Sequence, residues 1–283
     1  MKLKNILLTG ANKTLNLYLN IEGDRRARKI WENYPNPIYP STVQIWKFLV
    51  EKFSWDAILD IGANYGELAA IAFLHRQLTS TPVYVFEPAP TLREPLQLTF
   101  AEKKQVFLEH IGLSNRDGQA TFRNFNADSG KSNFQSINPT LEKPHVSRER
   151  VEIRKLDSYG IAANRLLIKI DIEGHEPEAL LGAKETLQKS PEVVVLIEAN
   201  QLDFSRLDWI RDDFDIWVLS RLRGRLVRVN RVNQNRKGKQ FPDLYWHDIV
   251  LIKSKSPAVY SEVFLSFSAR ISKAFKWSYE KLK

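Results

Sequence analysis

Two carboxylates that close short apolar runs, with a glycine turn after the first, are the residues best suited to hold a ligand. Asp60 opens Asp60-Ile-Gly-Ala-Asn-Tyr-Gly66, and Glu87 ends Val83-Tyr-Val-Phe-Glu-Pro88. A strand ending in such a turn brings backbone close to a ligand, and an acid at the end of the next strand can grip a ribose diol. A dinucleotide fold would need G-x-G-x-x-G, so that a pyrophosphate can sit on a helix N-terminus. Here the turn reads G-A-N-Y-G, and Asp60 just before it would repel a diphosphate while attracting an ammonium and a sulfonium. S-adenosylmethionine suits it better than NAD, with Asp60, Gly62, Asn64 and Gly66 at the amino-acid end and Glu87 at the ribose.

A third polar stretch, Leu166-Leu-Ile-Lys-Ile-Asp-Ile-Glu-Gly-His-Glu176, interrupts an otherwise apolar strand. Lys169, Asp171 and Glu173 alternate with Ile168, Ile170 and Ile172, although a central parallel strand is covered on both faces. Burying three unpaired ions would cost several kcal/mol or more. They are therefore expected to face one another or a ligand cavity at the strand's carboxyl end. Asp171, Glu173 and His175 are the candidates for proton removal and acceptor orientation, with Lys169 as charge partner, and Asp171 is also expected among the cofactor-binding residues. His175 is the easier base near neutral pH. Asp171, Glu173 and Glu198 would suit a hard divalent cation, but no metal is assigned to the site.

The elements that must hold these groups follow from periodicity. A helix capped by Ser41 is expected through about Phe53, then strands at Ala57–Ile61, Val83–Phe86, Val106–Leu113, Leu166–Ile172, Val193–Ala199, Ile216–Leu219 and Ile249–Ile252. Helices are expected near Glu67–Leu78, Thr91–Ala101, Pro177–Gln188 and Phe204–Asp213. Such alternation means a doubly wound parallel sheet. Residues 1–40 read as an irregular or partly helical leader, and Leu219 to Val229 as a hairpin turning at Arg223-Gly224.

In order and spacing, Asp60 to Gly66, Phe86-Glu-Pro88, the step Leu156-Asp157-Ser158, Ile168 to Glu176, Leu181-Gly-Ala183 and Ile197-Glu198 resemble the successive signatures of the FkbM family of S-adenosylmethionine-dependent methyltransferases. The likeness covers roughly residues 56 to 200. It implies a Rossmann-like class I methyltransferase fold of the α/β class, a seven-stranded mostly parallel sheet with helices on both faces. It also implies O-methylation of a hydroxyl on a sugar, glycoconjugate or secondary metabolite. His175 stands where family members often carry a small residue, which bears on the acceptor. Three divisions are expected: a leader and helix over 1–53, a methyltransferase domain over 54–254, and a C-terminal amphipathic helix over 255–283. The middle one holds a substrate lid at 126–150, where Phe134 could stack on a sugar and Ser129, Ser132 and Asn133 could hydrogen-bond, and a basic hairpin and loop at 220–240.

The chain of 283 residues has no cysteine, which excludes disulfides, thiolate metal sites and cysteine nucleophiles. Its net charge of +9 is uneven. Residues 219–240 carry eight basic and no acidic residues, and 253–283 carry seven basic and two acidic, leaving 9 − 8 − 5 = −4 for the rest. A generic nucleic-acid binder is a poor description of that pattern. The basic hairpin instead suggests a small-molecule or glycan acceptor that is acidic. Asn36-Pro-Ile-Tyr39 resembles the Asn-Pro-Pro-Tyr element of amino-methylating nucleic-acid enzymes, so a nucleic-acid methyltransferase is one alternative; a non-catalytic scaffold with a methyltransferase fold is another. Retention of both cofactor acids and of the Lys-Asp-Glu strand argues against the scaffold. No signal peptide or membrane-length apolar run is read, so a cytoplasmic protein is expected, with the C-terminal helix docking on the domain, a homodimer partner or a membrane surface.

Overall fold

The structure is a computed structural model that describes residues 2–10, 13–75, 80–125, 127–134, 146–198, 206–220, 225–229, 244–256 and 258–264. The leader is more regular than its composition suggests. Strands β1 (Lys4–Gly10) and β2 (Lys13–Leu19) pair antiparallel, and helices α1 (Arg25–Asn33) and α2 (Pro40–Lys52) follow. The period-two pattern of Leu15, Leu17 and Leu19, all buried, is what makes β2 a strand. Ser41 does not cap α2: the helix begins at Pro40, whose fixed φ suits a first helical position.

The core elements come next. They are β3 (Ala57–Ile61), α3 (Glu67–His75), β4 (Val83–Phe86), α4 (Arg93–Thr99) and β5 (Val106–Glu109). The strand expected over 106–113 is in fact two. β6 (Gly112–Leu113) joins a separate four-stranded sheet with β7 (Gly118–Phe125), β8 (Asn133–Phe134) and β9 (Val146–Arg154), in the order β6-β9-β7-β8. Part of the expected lid is thus a strand edge, while residues 135–145 lie outside the described set.

The chain then returns through β10 (Arg165–Ile170), α5 (Glu176–Leu181), α6 (Lys184–Lys189), β11 (Glu192–Glu198), α7 (Asp208–Asp213), β12 (Asp215–Ser220), β13 (Arg225–Val229) and β14 (Leu244–Lys253). The single helix expected over 177–188 is two, parted at Gly182 and Ala183, and Gly182 lets the backbone approach the Ser114 carbonyl oxygen, from which a Cβ there would lie 1.8 Å. β12 and β13 pair antiparallel as the expected hairpin, with residues 221–224 and most of the basic loop outside the described set.

Among the described residues the main sheet has eight strands where seven were expected, in the order β13-β12-β14-β11-β10-β3-β4-β5. β10, β11, β3, β4 and β5 pair in parallel, while β14 is inserted antiparallel between β11 and β12. Alternation sends Ile58, Leu167 and Leu196 to one core, with Trp46, Leu49 and Phe73, and sends Leu59, Ile168 and Val195 to the other, with Leu180, Leu187 and Ile210. The result is a three-layer α/β/α domain whose strand order reverses at β3 and β10, where such sheets open a crevice. Residues 258–264 are helical, and Tyr260 and Phe264 bury their rings against Phe53, Phe48 and Trp217. The start of the C-terminal helix thus docks on the domain; residues 265–283, which would carry a dimer or membrane contact, lie outside the described set. No described helix is long and apolar enough to cross a membrane.

Candidate functional site

The carboxyl ends of β3, β4 and β10 converge on a cleft of about 1210 Å³, part of it open to solvent. It is lined by Asp60, Gly62, Asn64, Glu87, Lys169, Asp171 and Glu173, every residue expected to bind the cofactor or carry the chemistry except Gly66 and His175; of the expected lid residues Ser129, Ser132 and Phe134 line it and Asn133 does not.

Asp60 lies in β3 on the face that α3 covers. Its Oδ2 accepts the Ala69 N–H at 3.0 Å, one of the donors left open in the first turn of α3. Its Oδ1 is buried and has no hydrogen-bond partner among the described residues. Burial raises the pKa of this carboxyl, against the opposing pull of Lys169 and the Ala69 N–H. The next turn folds tightly, with the Gly62 and Ala63 N–H groups donating to the Phe86 carbonyl at 2.9 and 3.1 Å. Gly62 has φ +76°, and a Cβ there would stand 2.0 Å from the Asp171 carbonyl oxygen. No other residue fits that position. Asn64, also left-handed at φ 52°, presents its N–H to Glu87 Oε2 at 2.8 Å. Gly66 has another duty: at φ +78° it abuts the Phe100 ring, 2.7 Å from where a Cβ would be.

Glu87 is 6 % exposed, and its Oε1 accepts the Ala89 N–H at 2.9 Å. Burial pushes its pKa up to about 7, although two backbone N–H groups and Lys169 favour the anion.

Lys169 is the register partner of Asp60 across β3 and β10. Its Nζ donates to Asp171 Oδ2 at 3.1 Å. Burial would discharge this amine, but Asp171 and Asp60 outweigh it and hold its pKa above the ordinary value. Asp171, which burial alone would raise, is in turn held low by Lys169. The strand stops at Ile170, so the alternation read through Glu173 does not continue. Asp171 lies just past the strand end, and Glu173 takes a left-handed turn at φ 55° followed by Gly174. Glu176, which sequence reasoning left without a role, holds this turn: its Oε1 accepts the Ile172 and Gly174 N–H groups at 3.0 and 3.2 Å. Asp171, Glu173 and Glu198 can each offer an oxygen within 4.8 Å of the others, a spacing compatible with one cation.

His175 does not line the cleft. It faces a second groove, where Nε2 lies 3.0 Å from Ser114 Oγ and the ring sits 4.6 Å from that of Phe134. Burial lowers its pKa. His110 is also outside the cleft lining.

Several lining residues come from segments that no local motif marks. Arg26 of α1 donates from Nη2 to Glu67 at 2.8 Å and lies 5.0 Å above the Tyr39 ring. Thr42 of α2 donates to Asp248 of β14, and both reach the cleft. Asp24 ties three pieces together. Its Oδ1 accepts the Arg26 and Ser129 N–H groups at 2.8 and 3.1 Å, while Oδ2 accepts the Tyr65 hydroxyl at 2.8 Å. Asp24 at a helix N-cap could have been noticed in sequence; Arg26 and Asp248 could not, since only the tertiary fold brings them here.

The chain resembles known methyltransferases in sequence. The model of the methyltransferase FkbM domain matches residues 60–224. The 2-O-methyltransferase NoeI of Sinorhizobium fredii is 29% identical over 147 residues, which is 47% of this chain and 59% of that protein. The hexuronic acid methyltransferase AglP of Haloferax volcanii is 27% identical over 155 residues, 54% of this chain and 61% of that protein. The chain thus spans about three fifths of the length of these curated relatives. Among solved structures, the FkbM methyltransferase from Methylobacillus flagellatus is similar at 17% identity and a TM-score of 0.41, covering 70% of this chain and 43% of that one. The family match begins at the Asp60 turn and runs through β10 and β11, over more than half of the sequence, and on that ground this chain belongs to the FkbM methyltransferase family.

Proposed function

We propose that the protein is an S-adenosylmethionine-dependent O-methyltransferase acting on a hydroxyl of a sugar or glycoconjugate. The observation that carries this reading is the pair Asp60 and Glu87. Both are buried carboxyls at neighbouring strand ends on one cleft, and Asp60 retains an oxygen with no hydrogen-bond partner among the described residues. A cationic amino-acid ligand would supply the missing partner, and a ribose would supply hydroxyl donors to Glu87. When bound, S-adenosylmethionine supplies an electrophilic methyl on a sulfonium. The names of the two relatives, a 2-O-methyltransferase and a hexuronic acid methyltransferase, support a sugar acceptor.

The protein's own part is alignment, proton removal and exclusion of water. Lys169 keeps Asp171 ionised and anchored, which suits Asp171 to orienting a hydroxyl and makes it the weaker base. Glu173, on its left-handed turn past the strand end, takes the acceptor proton. Its backbone conformation costs of order 1 to 3 kcal/mol, a strain found where position matters more than stability. His175, on the second groove, is left to acceptor binding. Calorimetry with S-adenosylhomocysteine, followed by transfer of labelled methyl to a panel of oligosaccharides, tests the proposal. Failure to bind S-adenosylhomocysteine would overturn the cofactor assignment; binding without transfer to any glycan would overturn the acceptor class.

A further inference from the structure

The second groove has a composition of its own. It offers about 1760 Å³ of space, much of it open to solvent, beside the β7–β9 ribbon and the start of α5, and Arg116, Arg123 and Arg150 are part of its lining. None of the three makes an ion pair among the described residues, whereas Glu178 on the same groove is already paired with Arg206. Register explains how the charges gather. Phe122 and Asn124 point into the protein, so Thr121 and Arg123 point out, opposite Arg150 and Arg148 respectively. Like charges facing each other across an antiparallel pair are destabilising. Arginine also presents a planar fork of donors that matches carboxylate, sulfate and phosphate oxygens.

The groove is continuous with the cleft, since Glu173 and Phe134 line both. Phe134 packs edge-on against Phe122 at 5.2 Å, and its position requires Gly112, where a Cβ would stand 2.2 Å from the ring. An aromatic ring fixed at the junction is a surface on which a sugar can rest.

We infer that this groove binds the anionic remainder of an oligosaccharide acceptor, with Arg116, Arg123 and Arg150 receiving its acidic groups while the residue to be methylated lies in the cleft. The inference rests on the proposed glycan methyl transfer for the cleft end alone. The arginine end is a binding site that can be measured separately.

The test uses the full chain and three probes: tetragalacturonate, which carries carboxylates, a heparin tetrasaccharide, which adds sulfates, and neutral maltotetraose. At least one acidic probe should bind about tenfold more tightly than maltotetraose, and its affinity should fall as salt rises. Whichever acidic probe binds tighter identifies the favoured anion. The double substitution Arg123→Gln, Arg150→Gln removes two positive charges outside the cleft lining and should weaken that probe about tenfold while leaving S-adenosylhomocysteine affinity unchanged. Equal binding of acidic and neutral probes, no binding of either acidic probe, or full affinity in the double variant would each overturn the assignment. If the wild type binds an acidic probe but not S-adenosylhomocysteine, the groove stands and the methyltransferase reading falls.

Discussion

Replacing Glu87 by glutamine should make the unliganded protein more stable and its ligand site worse. A carboxyl that titrates at about 7 instead of 4.5 holds its proton more tightly in the folded chain than in the unfolded one. That difference is worth about 3 kcal/mol. The sign follows from proton counts. Between those two values the folded state carries more protons, so stability is greatest below 4.5 and is lost as pH rises through about 7. Glutamine carries no such charge. Like the protonated acid it has one good acceptor for two converging N–H groups, from Asn64 and Ala89, so the two should be nearly equal in acid, within about 1 kcal/mol. Urea denaturation should therefore show the variant gaining about 2 to 3 kcal/mol over wild type between about pH 5 and about pH 8. Asp60, whose carboxyl is also raised, is present in both proteins, and its charge is one of the smaller causes of the rise at Glu87. Hydroxyl donors from a ribose favour the anion, so wild-type affinity for S-adenosylhomocysteine should rise with pH through about 7, and the variant should bind weakly at every pH. A stability gap that does not change with pH would refute the burial argument.

Gly62→Ala should cost more than about 3 kcal/mol, because its Cβ would overlap the Asp171 carbonyl at a positive φ; a urea midpoint close to wild type would show that the turn relaxes. Glu173→Gln should lower kcat by about a hundredfold or more with S-adenosylhomocysteine affinity retained, whereas His175→Gln should leave kcat within about threefold. Equal losses of kcat in the two variants would return His175 to the chemistry. Asp24→Ala removes three hydrogen bonds and should destabilise by about 2 kcal/mol or more. In hydrogen exchange the 127–134 segment should open first, and unchanged protection there would discount the tie.

What the sequence revealed depended on how local each signal was. β3, β4, β10 and β11 are continuous apolar runs with an acid or lysine near the carboxyl end, so position and orientation could be read together. The glycine turn was legible because its conformation is set by steric demands within a few residues. Leu15, Leu17 and Leu19 carried an equally clear period of two, but it runs over only five residues within a leader read as irregular from its charges and prolines. Arg26, Thr42 and Asp248 left no trace because their shared location is a product of topology, spanning α1, α2 and the last described strand, and Tyr39 was read only as part of a different motif. His175 was selected for its side-chain chemistry; the turn at Glu173 and Gly174 then rotated it to the other side of the wall. Within Ile168 to Glu176 the period-two reading held only as far as the strand did.

The insertion of β14 between β11 and β12 imposes an order on biosynthesis. A ribosome releases β11 more than 40 residues before β14, so a nascent chain exposes one edge of its central sheet until residue 253 has emerged. Asp248 arrives with that strand, and its link to Thr42 closes the cleft wall with one of the last described residues to be made. A chain ended before β14 would therefore hold the glycine turn and both flanking acids yet leave the β11 edge of its sheet unpaired.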